Sequence, residues 1–278
     1  MKKLLLVIPF LYLLACSSPQ KATEEQGSTE IASQEPATLQ AKNPAMEGFN
    51  TDSSDVEAIM IADEVMKAMG GRKAWDNTRH IAWTFFGSRK LIWDKWTGNV
   101  RVESLKDPQV ILLNINDNTG KVMMDGEELT EPDSVAKYVE KGRRAWINDS
   151  YWLVMPFKLK DSGVTLSYLG DSTTEDGREA KLLELRFDGV GVTPQNKYCI
   201  WVDNETSLVS QWAYFPKAED EEARFTMPWL DYKTYGKIRL SGDRGGRKLS
   251  DIYVFDTLPE SVYSSFETVD LSNVKPAS

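Results

Sequence analysis

Histidine occurs once in the 278 residues, at position 80, and cysteine twice, at 16 and 199. Any Ser-His-Asp or Cys-His mechanism would have to pass through His80, which lies mid-strand near Trp83 with no signature serine or cysteine beside it. His80 therefore reads as an ordinary strand histidine. So few imidazoles and thiols are poor material for a zinc site, and neither H-E-x-x-H, paired C-x-x-C nor an EF-hand loop occurs. After Cys16 the sole thiol is Cys199, so no intrachain disulfide forms and the fold must rest on its core. Basic charge is short as well, with 33 Lys and Arg against 42 Asp and Glu and a formal net charge of -9. That balance argues against nucleic acid as a partner, because phosphate binding needs a basic surface. The run Gly242-Asp243-Arg244-Gly245-Gly246-Arg247 lacks Walker spacing and no helix follows it, so it reads as a hairpin turn. Among many carboxylates none is singled out for acid or base work. No cofactor is implied, and an enzyme is not expected.

Long apolar runs are missing too, apart from Leu4 to Leu14, which follows Lys2 and Lys3 and is too short to span a bilayer as a helix. It fits a signal peptide over 1–15. The run closes on Leu13-Leu14-Ala15-Cys16, a lipobox in which Cys16 is the acceptor of the lipid and the first residue of the mature chain. Each buried acyl methylene contributes about 0.8 kcal/mol, so two or three chains anchor stably. The membrane, reached through acylated Cys16, is thus an expected partner. The expected location is the cell envelope, at the outer membrane facing the periplasm. From 16 to 53 the chain is Ser, Glu, Gln, Thr, Ala and Pro with almost no large apolar residue, which predicts a disordered tether. One folded domain is expected over 54–275.

Within that domain Ser54 and Glu57 have capping-box spacing, and Ala58, Ile61, Ala62, Val65 and Met69 follow at helical intervals up to Gly70-Gly71. Segments of period two then recur with turn residues between them, at 79–87, 90–96, 99–104, 110–116 and 121–125. They resume at 165–173, 180–187, 197–202, 207–215, 224–235, 237–241 and 249–255. Short strands with no helices interposed make an antiparallel meander, and about a dozen of them should curl into one large, continuous sheet. Residues 110–113 are apolar on both faces, so that part of the sheet must be covered twice.

Between the two series lies a helical pattern opened by Thr130, with Glu131, Pro132 and Asp133 in its first turn and Val135, Tyr138, Val139, Gly142 and Trp146 on one stripe. It runs into Tyr151, Trp152, Leu153, Met155 and Phe157 around Pro156, an apolar density that needs a partner surface. The whole reads as a lid over the concave face of the sheet. Nine tryptophans, at 75, 83, 93, 96, 146, 152, 201, 212 and 229, suit either an acyl-chain pocket or a platform for sugar rings. The Leu, Met, Val and Phe beside them in the lid favour acyl chains. The expected cavity residues are Trp83, Phe85, Leu112, Trp152, Met155, Phe157, Leu185, Phe187 and Trp201.

The order of signal and lipobox, G-G-x-x-x-W (Gly70, Gly71, Trp75), meander, D-G-E-x-L (Asp125 to Leu129), helix, Y-W-L-x-x-P-F-K-L (Tyr151 to Leu159) and a closing L-P-E-S-V-Y (Leu258 to Tyr263) resembles the LolA/LolB-like, RseB-related lipoprotein carriers. The resemblance spans about 56–270 and matches in order more than in identity. It implies a mainly β (α+β) fold, a large curved antiparallel sheet forming an unclosed β-barrel with helices as a lid over an apolar cavity. It also implies a lipid or lipoprotein acyl chain as ligand. The soluble carriers of that family are not lipidated, so a membrane-bound acceptor, a lipid-binding relative or an RseB-like sensor is the better analogue. Another envelope protein as partner of the same concave face, or a carbohydrate, are the alternatives.

Cys16→Ala should abolish acylation and leave the precursor uncleaved by the lipoprotein peptidase. Detergent phase partitioning checks this: if parent and variant distribute alike, Cys16 is not what attaches the protein to a membrane.

Overall fold

The computed structural model describes residues 42–278 except positions 190 and 192. The signal peptide, Cys16 and the tether up to residue 41 lie outside the described residues. Seven strands form one antiparallel sheet: β1 (His80–Phe85), β2 (Arg89–Asp94), β3 (Asn99–Ser104), β4 (Gln109–Asn114), β5 (Gly120–Met124), the two-residue β6 (Glu127–Glu128), and β14 (Leu249–Phe255), which pairs with β1. Five more make a second sheet in the order β11 (Phe225–Pro228), β10 (Val209–Phe215), β9 (Lys197–Asp203), β8 (Glu179–Phe187), β7 (Val164–Thr173). The pair β12 (Leu230–Tyr235) and β13 (Ile238–Asp243) stands between them. The fold is mainly β, with large antiparallel sheets not closed into a barrel and a few helices.

Two expectations need correction here. The hydrogen-bonded ladder is not continuous: the stretch expected as one strand over 224–235 is two, divided at Trp229. Pro228 brings no N–H to the ladder and Asp231 adopts φ 59°. The buried Trp229 still donates its N–H to Ser210 O, after which the chain leaves β10 to pair with β13.

The second correction concerns the start of the domain. Asn43 is buried, with its amide donating to Asp63 at 2.7 Å, while Lys160 Nζ donates to both Asn43 O and Asp63. Phe49 enters the core. Backbone N–H groups of Met46, Asn50 and Asp55 donate to Lys160, Val164 and Leu166, so the segment runs along the free edge of β7. An open edge is a template for association, and this strap covers part of it. The capping box is not formed either: Ser54 Oγ donates to Asn50 O and accepts from Leu166 N–H, and the Asp55 carboxylate accepts from Tyr168 N–H.

Helix α1 (Val56–Ala68) packs the apolar stripe read from sequence into the core. It ends as expected, in a Schellman motif: Gly71 N–H donates to Met66 O and Gly70 N–H to Lys67 O, with φ of 90° and 112°. Gly70 has a second reason to be glycine, since a Cβ there would strike Lys237 O. The short α2 (Arg72–Asn77) precedes β1. Helix α3 (Pro132–Val154) is the predicted lid helix, its N-terminus capped by Glu131, which accepts from Asp133 and Ser134 N–H. A 3-10 turn, Met155–Phe157, completes it.

A single cluster of buried apolar residues draws on α1, α3 and both large sheets. On the outer face of the seven-stranded sheet the C-terminal segment, with α4 (Ser261–Ser264), lies over Ala82, Ile92 and Phe255. Buried Arg101 holds it by donating to the carbonyls of Val262, Ser265 and Glu267, and Lys90 Nζ by donating to Val269 O. This second cover explains why residues 110–113 are apolar on both faces.

A chain beginning at Ser54 should be less stable than one beginning at Lys42 by about 3–5 kcal/mol, since loss of Phe49 alone removes a buried aromatic ring. Denaturant titration of the two checks this, and equal midpoints would mean that the strap contributes nothing.

Candidate functional site

Residues four apart on a helix share a face, and on α3 Ile147 and Tyr151, then Asn148 and Trp152, turn together toward the five-stranded sheet. On that sheet Tyr198, Tyr214 and Phe225 stand side by side across β9, β10 and β11, as register partners, with Trp212 one pleat further along β10. Phe187 closes the end of β8, and Gly191, Thr193 and Asn196 form the remaining wall. These side chains enclose an open cavity of about 280 Å³.

Seven aromatic rings line it and hold one another. Trp152 stands edge-on to Trp212 at 4.6 Å and tilts toward Phe225 at 5.5 Å. Tyr198 lies parallel to Trp212 at 5.3 Å, with Tyr151 at 5.4 Å and Tyr214 at 5.2 Å from it. Such pairs add about 0.5–1.5 kcal/mol each beyond the area they bury, so the walls are stiff. Burial raises the Tyr151 and Tyr198 phenols, which stay neutral at physiological pH. Among the described residues no lining side chain carries a charge there.

Behind this wall sits Arg244, buried and, among the described residues, in no ion pair with a carboxylate. Its guanidinium lies 3.4 Å from the Trp229 ring centroid and donates to Trp152 O, Ser241 O, Ser241 Oγ and Asp243 O. Burial pulls it down to about 9, so it remains cationic at neutral pH. A cation at the carbonyl end of α3 suits the helix dipole and fixes the backbone that carries Trp152.

Of the nine residues expected to line a cavity, the structure brings Trp152 and Phe187 to this one. Trp83, Phe85, Met155, Phe157 and Leu185 are side chains of the packed core; Phe157, for instance, stacks on Trp75 at 4.3 Å. Leu112 and Trp201 face the other way. Leu112 stands beside Arg101 under the C-terminal segment, and Trp201 joins Cys199, Ala213 and Phe215 on the outer face of the second sheet. Sequence reasoning missed Tyr151 as a wall and Tyr198, Tyr214 and Phe225 altogether, and it counted Trp212 among the nine tryptophans without placing it in the cavity. The available signal was parity: Tyr198 and Trp201 lie on opposite faces of one strand, while Trp212 and Tyr214 share a face.

The histidine is buried, with Nδ1 2.9 Å from Tyr263 Oη in the C-terminal segment and 4.0 Å from the Asp94 carboxylate, which Arg79 engages. Burial holds its pKa below the ordinary value. The other thiol-type candidate, Cys199, is pushed up to about 11 by burial and is protonated at neutral pH. Among the described residues no group of three His, Cys, Asp or Glu is placed to hold a metal, and no helix is long and apolar enough to cross a membrane.

No family model matches the sequence, and no curated protein matches it. Solved structures do. The chain is similar to a DUF1329 family protein from Desulfovibrio piger, at 10% identity and a TM-score of 0.41, over 74% of this chain and 96% of that one. It is also similar to a LolA superfamily protein from Nitrosomonas europaea, at 12% identity and a TM-score of 0.35, over 73% and 96%. MucB follows at 13% identity and a TM-score of 0.24, over 75% of this chain and 62% of that one.

A histidine that is neutral in the fold and depressed below its unfolded value of about 6.5 opposes folding once it must be charged. His80 should therefore cost no stability above that value and progressively more as pH falls through it. His80→Gln should flatten the slope between pH 7 and 5 in denaturant titrations, and an unchanged slope would locate the acid sensitivity elsewhere.

Proposed function

We propose that this chain is a lipid-anchored cell-envelope protein, at the outer membrane facing the periplasm, that binds an apolar ligand, a lipid or acyl chain, as a non-catalytic carrier or acceptor. The observation that carries the reading is the aromatic cavity between α3 and the five-stranded sheet. Water in such a pocket has few hydrogen-bonding partners on the walls, so apolar surface displaces it favourably. The site differs from the one expected. Trp83, Phe85, Met155, Phe157 and Leu185 are packed in the core, and the opening lies at one flank of the lid helix. The lipobox at Cys16 supports the anchor, and its place in the sequence supports a protein held at the membrane that supplies the ligand.

An acyl probe such as a fluorescent fatty-acid ester should quench tryptophan emission from Trp152 and Trp212. Trp152→Asp combined with Phe225→Asp should reduce probe binding at least tenfold while circular dichroism shows the fold retained, because both side chains border open space. Phe157→Asp serves as the contrast, since it buries a carboxylate in the core and should unfold the protein. Absence of binding in the parent protein would overturn the reading.

A further inference from the structure

Among the described residues six that are not glycine adopt a positive φ. Asn118, Asp125, Asp231 and Asp251 are of the kind that visits this region readily, and Ser207 is small. The sixth is Phe86, at φ 48°. A bulky residue in the left-handed region is a backbone outlier, and such strain persists only where the surroundings over-determine it. Phe86 and Gly87, at φ 63°, form the tip of the β1–β2 hairpin, where the N–H and Oγ of Ser88 both donate to Phe85 O at 2.9 Å. Tight hairpin turns of this hand favour Asn or Asp before the glycine. The turn by itself has no use for an aromatic ring, so the reason for Phe86 lies in what the ring touches.

It touches Trp152. The two rings stand edge-on at 5.1 Å, with Phe85 4.1 Å from Phe86 and the exposed Arg247 guanidinium 5.5 Å from the Phe86 centroid. Trp152 lines the cavity and Phe86 does not. Trp152 also meets Trp212 and Phe225, so it stands between the β1–β2 tip and the wall of the five-stranded sheet. Tyr198, Trp212, Tyr214 and Phe225 are carried on paired strands, whereas Trp152 is carried on a helix and its rotamer is set by the groups on either side. Arg244 holds the Trp152 carbonyl but not the ring. With open space on the cavity side, the ring of Phe86 is what keeps the indole from swinging back. Arg244 and Arg247 belong to one turn, closed by Arg244 N–H donating to Arg247 O at 2.9 Å. The run Gly242 to Arg247, a hairpin turn by sequence, thus holds Trp152 twice, by its carbonyl and, through Phe86, by its ring.

We propose that Phe86 is a positioning residue of the cavity: strained at its backbone and covered by Arg247, it backs the Trp152 ring, so that ligand affinity depends on Phe86 through Trp152. The inference rests on the apolar-ligand reading above and adds the residue that preorganises its wall. A pyrene-labelled fatty-acid methyl ester titrated into the full protein tests it by a double-mutant cycle. Phe86→Asn removes the ring but suits the turn, and should weaken binding about tenfold, while Phe86→Tyr should stay within about twofold of the parent. In a Trp152→Leu background Phe86→Asn should cost no more than about a further twofold. Without probe, Phe86→Asn should raise acrylamide quenching of the emission that Trp152→Phe removes, a change that a general loss of stability would not confine to one indole. Arg247→Ala, at an exposed side chain, should weaken binding about threefold and only while Trp152 is present. If circular dichroism shows Phe86→Asn unfolded, the cycle with Arg247→Ala decides by the same criterion. Binding within twofold of the parent, or equal losses with and without Trp152, would overturn the proposal and leave the apolar-ligand reading intact. Failure of the parent protein to bind the probe would instead remove that reading and this inference with it.

Discussion

Everything in this structure depends on how closely α3 can sit in the concavity of two sheets. A curled antiparallel sheet offers one apolar face that must be covered, and a helix 23 residues long crosses most of it. Close seating is possible because Gly142 brings the helix backbone against Ile111 and Leu113, where even a methyl group would crowd Ile111. Gly120 on β5 makes the matching concession beneath Val139. At Val139 and Gly142, therefore, α3 packs closely on β4 and β5. Further along, where the chain carries Tyr151 and Trp152 instead of small residues, large rings on both sides hold helix and sheet apart. The aromatic cavity is what remains between them.

Two buried charged groups settle the far end of the helix. Asp149 has no exposed surface, and burial lifts its carboxyl above the ordinary value despite the bonds from Arg89 and Asn148. Breaking such a pair by removing one partner typically costs about 3–5 kcal/mol, because the other charge is stranded. Arg244 works from the opposite side, tying the last turn of α3 to the strand that leads into β14 through Trp152 O. Neither group faces the cavity. Their effect is to fix the rotation of α3, and with it the direction of Trp152, so that the cavity is preformed.

The two ends of the domain serve as covers. The strap before α1 shields β7, and the C-terminal segment shields the outer face of β14, β1, β2 and β3, where Arg101 reads three backbone carbonyls. Both segments hydrogen-bond to the sheet, and each also buries apolar side chains, Phe49 in the strap and Val262 and Leu271 in the C-terminal segment. The run 42–53 looks like linker because partners that hold it, Lys160, Gly163, Val164 and Thr165, lie more than a hundred residues away, where no local pattern records them.

By itself the sequence determined the local elements. Alternation placed nearly every strand, the Gly70-Gly71 pair ended α1, and Thr130 to Asp133 opened α3, because each of these is a matter of a few neighbouring dihedrals and side-chain periods. It also determined the mainly antiparallel class and the presence of an apolar lid. Only the tertiary structure decided where the ladder divides, which residues outside 54–275 join the fold, and which aromatic rings face open space. Period two says that Tyr198 and Ile200 share a face, not that this face is concave. Whether Phe157 or Phe225 meets a ligand depends on the volumes of helix and sheet summed over every element around them, and that sum exists only once the chain is closed on itself.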